Sequence, residues 1–238
     1  MITLYTGTPG SGKSLHTISL IFRCLSWGRD VICNFAVKFT DEEIKKGYDK
    51  RFHNWTNDNV TVNNLIEFAL DHGYFEKKQE SQCLVVIDEA GGKFNTRAYA
   101  TKDRTAWVDF LSQHRKCGFD FILVAQMDKM IDKQILGCVE TEKKHRKCNN
   151  FGPFFILPFP LFVCVEVWYT AKVRVGSEFF LYHKKIAAKY DSMKMFEGFT
   201  LSKELILKIE ERKLGIKTPV NISNESIDAI FIKEKEVE

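Results

Sequence analysis

Gly7-Thr8-Pro9-Gly10-Ser11-Gly12-Lys13-Ser14 is the stretch that decides the fold. It matches G-x-x-x-x-G-K-[ST] in full. Residues 2–5 before it read as a short apolar strand. Residues 14–27 after it read as a helix, with Leu15, Ile18, Phe22 and Leu25 at helical spacing and Gly28 at the stop. Glycines let such a turn curl until successive N–H groups face a phosphate, helped by the helix N-terminus. Gly7, Thr8, Pro9, Gly10, Ser11, Gly12, Lys13 and Ser14 are therefore the expected cradle for ATP. Lys13 is placed for the β- and γ-phosphates, and the Ser14 hydroxyl for Mg²⁺. The plain alternative is a chance glycine turn before a helix.

Outward from the loop, Leu84-Val85-Val86-Ile87-Asp88-Glu89 is an apolar strand ending in two carboxylates. That edge is where α/β sheets bind ligands. Asp88 is expected to hold Mg²⁺ and Glu89 to polarise the attacking water, a base close to the metal-binding carboxylate but separate from it. Many strands end in Asp-Glu; the preceding glycine loop gives this one its meaning. The pair selects NTPases with an added strand and a catalytic glutamate. Gln126, after the strand at 119–125, is either a sensor of the γ-phosphate or a polar strand cap. Arg115 is either an arginine finger for a neighbouring subunit or a helix-end base favoured by the dipole. His114 shares an apolar face with Trp107, Phe110 and Leu111 and reads as a packing histidine.

Strand-like segments at 2–5, 30–35, 83–87 and 119–125 alternate with helical ones at 14–27, 103–117 and 128–136, which argues a mostly parallel α/β sheet. Residues 1–137 read as the NTPase core, with a polar, partly mobile insertion at about 40–80. Residues 138–196 read as a basic and aromatic β-rich extension packed on that core, opening with the basic knot at 143–147. Residues 197–238 read as a charged tail with a helix at 200–214. Net charge +4 is too weak to argue nucleic acid or membrane by itself. The basic knot, with Arg97, Lys102 and Arg104, either tracks a phosphate backbone or is a solvated face. Asn95, Arg97 and Tyr99 are candidates for a pore or subunit contact.

The 7 cysteines are scattered, with no Cys-x-x-Cys pair, so free thiols in a reducing compartment are expected. The histidines show no metal spacing. The first residues lack a basic region and an apolar run, so no secretory signal is expected. Residues 151–169 are nearly continuous in apolar residues but are broken by Pro153, Pro158 and Pro160. They read as buried or hairpin β-structure ahead of an interfacial loop, with a membrane span last.

The opening run at 5–14, the second strand ending Asn34-Phe35, and the stretches at 85–90, 112–126, 130–135 and 190–196 together carry a resemblance. The sequence resembles the zonular occludens toxin (Zot) N-terminal domain family, whose members include the gene I assembly proteins of filamentous phages. It covers roughly residues 1–196. The resemblance implies a P-loop ATPase of the FtsK/HerA-like motor group, encoded by a phage or prophage. It implies a ring of identical subunits acting on phage DNA or a DNA–protein complex, and driving virion assembly and DNA export. The location it implies is the cytoplasm, with peripheral association at the inner face of the cell membrane as the further option. Gene I proteins usually carry one transmembrane helix after the ATPase domain. The charged tail here offers no clean span, so either 151–169 contacts membrane or partner, or a separate membrane-anchored assembly partner is expected.

The reading is thus an ATP-hydrolysing, Mg²⁺-dependent motor. Its rivals are a DNA packaging or conjugative translocase of the same superfamily, and a nucleotide-gated docking protein with little turnover. A small-molecule kinase is weaker, since no arginine-rich lid is evident.

Overall fold

The computed structural model describes residues 1–190 except residues 78, 96–100, 151, 153–155 and 157. Met1–Ser192 form one compact unit; a second, Met193–Glu238, lies outside the described residues. The helix expected at 200–214 and the contacts expected of Arg97 and Tyr99 therefore lie outside them too.

Strand β1 (Ile2–Thr6) runs through the glycine turn into α1 (Lys13–Ser26), then β2 (Asp30–Cys33). Residues 40–80 hold α2 (Asp41–Lys45), α3 (Tyr48–Arg51), the edge strand β3 (Phe52–Asn54), α4 (Val62–Asp71) and α5 (Tyr74–Lys77). Next come β4 (Cys83–Ile87), α6 (Ala90–Lys93), α7 (Thr101–Gln113), β5 (Phe119–Val124) and α8 (Lys133–Gly137). The described chain closes with β6 (Thr141–Lys147), β7 (Leu161–Trp168), β8 (Val173–Leu181) and α9 (Lys184–Ala187). Among the described residues no helix is long and apolar enough to cross a membrane.

One 8-stranded sheet carries the unit, in the order β3-β2-β4-β5-β1-β6-β7-β8. The first six are parallel to their neighbours; β7 and β8 are antiparallel. β5 stands between the glycine-loop strand β1 and the acidic strand β4, the added strand that the Asp-Glu pair led us to expect. β1, β4 and β5 have near-continuous apolar runs because both faces are covered. Side chains alternate between the two faces. Ile2, Leu4, Val85 and Ile87 pack toward α4, α7 and α8, while Tyr5, Leu84, Val86 and Val124 pack toward α1.

Two details differ from expectation. The buried stripe of α1 is Thr17, Ile18, Ile21, Cys24 and Leu25, joined by His16, so Leu15 and Phe22 lie at its margin. The basic knot at 143–147 is an interior strand: β6 pairs with β1 on one side and β7 on the other. Two of its cations stand near carboxylates, Lys144 within its own strand and Lys143 across to β7. The Thr6 hydroxyl donates to Glu142 at 2.7 Å, Lys144 stands 3.5 Å from Glu142, and Lys143 stands 4.0 Å from Glu166.

Leu4 is fully buried at the centre of the sheet. Leu4→Ala is expected to cost about 2–5 kcal/mol, as buried leucine truncations do. Denaturant unfolding with an unchanged m-value measures this; a loss below about 1 kcal/mol would show that the centre of the sheet is not the tightly packed core described.

Candidate nucleotide-binding site

The loop between β1 and α1 turns on three glycines with positive φ, Gly7, Gly10 and Gly12. Two of them also sit too close to other atoms for a side chain. A Cβ on Gly7 would lie 2.5 Å from the His145 carbonyl oxygen, and one on Gly12 would lie 2.8 Å from the Phe162 ring. The Gly7 N–H donates to the Gln126 carbonyl at 3.3 Å, which fixes the loop to the end of β5. The Ser11 N–H donates to the Thr8 carbonyl at 3.1 Å. The Lys13 ammonium lies across the loop, donating to the Gly7 and Thr8 carbonyls at 2.6 and 3.2 Å. The first turn of α1 holds no acidic residue, so its positive dipole end is not neutralised by its own side chains. Buried Ser11 Oγ has no hydrogen-bond partner. These features together suit an oxyanion.

Asp88 and Glu89 follow β4 at the same edge. Asp88 is half-buried and Glu89 exposed. Glu89 takes left-handed backbone angles, φ 50 and ψ 45, and its N–H donates to Asp88 Oδ1 at 3.0 Å. Burial raises the Asp88 carboxyl above its usual range. Burial lowers the Lys13 ammonium, with Asp88 and Glu89 pulling the other way. A cation and two carboxylates thus share one electrostatic neighbourhood.

The sequence reading gave no site role to two residues here, although both stand in stretches that carry the family resemblance. The Asn34 side chain pairs with the Asp88 backbone in both directions: its Oδ1 accepts the Asp88 N–H at 2.7 Å and its Nδ2 donates to the Asp88 carbonyl at 2.8 Å. It also donates to Asn57 Oδ1 at 2.8 Å. Its position after β2, the neighbour of β4, was the available signal. The second residue is Tyr190. Its hydroxyl lies 3.5 Å from Asp88 Oδ2 and feels the Ser14 side chain. Its segment is held by the Val37 bridge, by Lys189 paired with Glu43, and by its ring against Phe35 at 5.3 Å. Burial and Asp88 push the Tyr190 phenol up to about 12. The Tyr190 hydroxyl thus links the Asp88 carboxylate to the start of α1, where Ser14 stands. A hydroxyl and a carboxylate suit a hard cation such as Mg²⁺, completed by phosphate oxygens and water.

A cavity of about 440 Å³ opens beside the loop, lined by Gly7 to Ser11, Gln126 and β6 residues that include Glu142 and Arg146. The structure brings Gln126 to the loop through its backbone and leaves its side chain exposed. Arg115 lies elsewhere, at the start of β5, where it pairs with Glu140 at 2.5 Å. Glu140 in turn accepts the Ile2 N–H, so this pair belongs to the edge of the sheet opposite the glycine loop. His114 is buried, with Nδ1 2.6 Å from the Leu111 carbonyl, a packing role.

The strand order, the glycine loop after β1 and the acidic pair after β4 define the P-loop NTPase fold. The chain belongs to the zonular occludens toxin (Zot) family, whose model matches residues 1–195. It is 31% identical over 134 residues to the Gene 1 protein of Enterobacteria phage I2-2, covering 56% of this chain and 36% of that protein. It is 30% identical over 134 residues to the Gene 1 protein of Salmonella phage IKe, with the same shares of the two chains. The match spans little more than a third of those relatives. The N-terminal domain of zonular occludens toxin from Neisseria meningitidis has a TM-score of 0.50 at 21% identity, over 80% of this chain and 98% of that one.

Asn34→Ala would leave the Asp88 N–H and C=O without their side-chain partner. Such losses cost about 1–3 kcal/mol. Unfolding measurements check this, and a stability equal to the parent's would mean that the β2–β4 pairing alone holds Asp88.

Proposed function

We propose that the chain is a Mg²⁺-dependent ATP-hydrolysing motor subunit of filamentous phage or prophage assembly. The observation that supports this reading is that the glycine loop after β1 and the Asp88-Glu89 pair after β4 flank β5 at one edge of the sheet, with Asp88 and Glu89 acting on the Lys13 ammonium. A docking protein that only binds nucleotide would not need Asp88, Glu89 and Gln126 together.

In this reading the loop N–H groups and the α1 N-terminus bind the phosphates, and Lys13 exchanges its loop carbonyls for the β- and γ-phosphates. Ser14 and Asp88 would hold Mg²⁺, which would supply positive charge for the phosphate oxygens. Asn34 fixes the Asp88 backbone. Glu89 accepts a proton from the attacking water, and Gln126 senses the γ-phosphate beside Gly7. Arg115 reaches no group of its own loop, so it acts on a neighbouring subunit's nucleotide. Leaving Glu140 costs little, since exposed ion pairs are worth about 0–1 kcal/mol.

Within this reading residues 1–137 are the motor core and 138–196 an extension whose strands β6, β7 and β8 share its sheet. The 197–238 tail lies outside the described residues. A ring of identical subunits handles phage DNA in the cytoplasm, at the inner face of the membrane through an anchored partner. ATPase stimulation by single-stranded phage DNA is expected. Stimulation by duplex DNA alone would favour a packaging or conjugative translocase.

Lys13→Ala is expected to lose nucleotide binding or turnover while circular dichroism stays that of the parent; unchanged hydrolysis would remove the loop assignment. Glu89→Gln is expected to bind ATP and slow hydrolysis about 10²–10⁴-fold. Turnover at the parental rate would make Glu89 structural. Arg115→Ala is expected to lose activity by about 10³–10⁵-fold and to regain part of it when mixed with Lys13→Ala subunits. Full activity of Arg115→Ala alone would leave its guanidinium only the Glu140 pair.

A further inference from the structure

Behind the phosphate loop, three buried side chains from three elements meet. His16 comes from α1, His145 from β6 and Cys164 from β7. His145 and Cys164 are direct cross-strand partners, and Cys164 is the partner of Glu178 on β8. One row thus crosses three strands, with His16 laid over it from the helix. Tyr5 stacks on His16 at 5.1 Å and Phe180 lies 5.0 Å away. The Nδ1 or Nε2 atoms and the Cys164 sulfur all lie within 4.8 Å of one another.

Two hydrogen bonds hold the two rings. His145 Nδ1 faces the Thr6 carbonyl at 3.3 Å, which places its proton there. His145 Nε2 faces His16 Nδ1 at 2.8 Å. His16 Nε2 stands 3.9 Å from Glu178 Oε2, beyond hydrogen-bond reach but on the side of a carboxylate. Moving the His16 proton from Nδ1 to Nε2, toward Glu178, leaves Nδ1 of His16 and Nε2 of His145 as lone pairs facing each other beside the Cys164 sulfur.

We propose that His16, His145 and Cys164 bind a thiophilic divalent cation of the Zn²⁺ class. Two imidazole nitrogens and a thiolate are its preferred donors, with a fourth position open. The outer contacts become the supporting shell: the Thr6 carbonyl fixes His145, and the Glu178 carboxylate fixes His16, as acceptors behind metal-bound imidazoles commonly do. Zn–N bonds of about 2.0–2.1 Å and a Zn–S bond of about 2.3 Å place tetrahedral donors about 3.3–3.6 Å apart. Loading therefore parts the rings by about half an ångström and draws the sulfur inward. Burial keeps the Cys164 thiol protonated, up to about 11. Binding then replaces S–H by S–metal and releases one proton to solvent. The cation ties the helix that opens at the phosphate loop to the β6–β8 hairpin row.

The test uses the full chain, stripped with a chelator and shown to be folded, titrated with ZnCl₂ and separately with CoCl₂. One ion per chain, release of about one proton per Zn²⁺ at pH 7 and a rise in melting temperature are expected. With Co²⁺, a thiolate-to-cobalt charge-transfer band is expected. Cys164→Ser should abolish that band and weaken binding at least tenfold. X-ray absorption at the zinc edge of the parent should give one sulfur and two imidazole nitrogens, a readout that does not depend on the variant folding. Absence of stoichiometric binding by the folded parent, a shell without sulfur, or a Co²⁺ band that survives in Cys164→Ser would each overturn the proposal.

Discussion

The closeness of the phosphate loop to β6 and β7 is the constraint on which the rest of the structure depends. The Gly7 backbone runs beside the His145 carbonyl, and Gly12 lies against the Phe162 ring. Both approaches are open only to residues without a Cβ. They hold the loop between the end of β5, through the Gln126 carbonyl, and the strands of the extension. α1 inherits its direction from that position, and so does the face it covers. The extension therefore forms one wall of the phosphate loop.

The charges of the unit are divided between the two edges of the sheet. The edge with the loop holds Lys13, Asp88 and Glu89, which have no full ion pairing among themselves. The opposite edge is saturated: Arg29 and the chain's N-terminal amine both hold Asp120, and Arg115 holds Glu140. Saturated pairs screen one another and add little to stability. A cation beside a half-buried carboxylate, Asp88, keeps a stronger local field than the solvent-screened Glu89 alone would give it.

Much of this was legible in the sequence, because the decisive residues are local. The glycine loop, the apolar run ending in Asp88-Glu89 and the strand ending before Gln126 each carry their meaning within a few positions. What was not legible depends on partners far along the chain. Residues 143–147 read as a phosphate-tracking patch or a solvated basic face, yet they form an interior strand through backbone pairing with β1 and β7, with Glu142 and Glu166 standing near Lys144 and Lys143. His16 falls outside the apolar periodicity of α1, and its partner lies on β6. Asn34 is a single polar residue after a strand, and only the adjacency of β2 and β4 gives it Asp88 to hold. Tyr190 reaches Asp88 from 102 residues away.

Glu89 stands in the left-handed region, where a side chain costs roughly 1–2 kcal/mol relative to the right-handed form. The cheapest occupants of such a position are glycine and asparagine. Folding alone gives little reason for glutamate: Glu89 is the N-cap residue of α6, yet its side chain is exposed and makes no capping hydrogen bond. In evolutionary terms, position 89 is one where drift toward stability and retention of a carboxylate pull in opposite directions. A family sampled under relaxed selection would be expected to lose its acid here first, and to gain thermal tolerance in doing so.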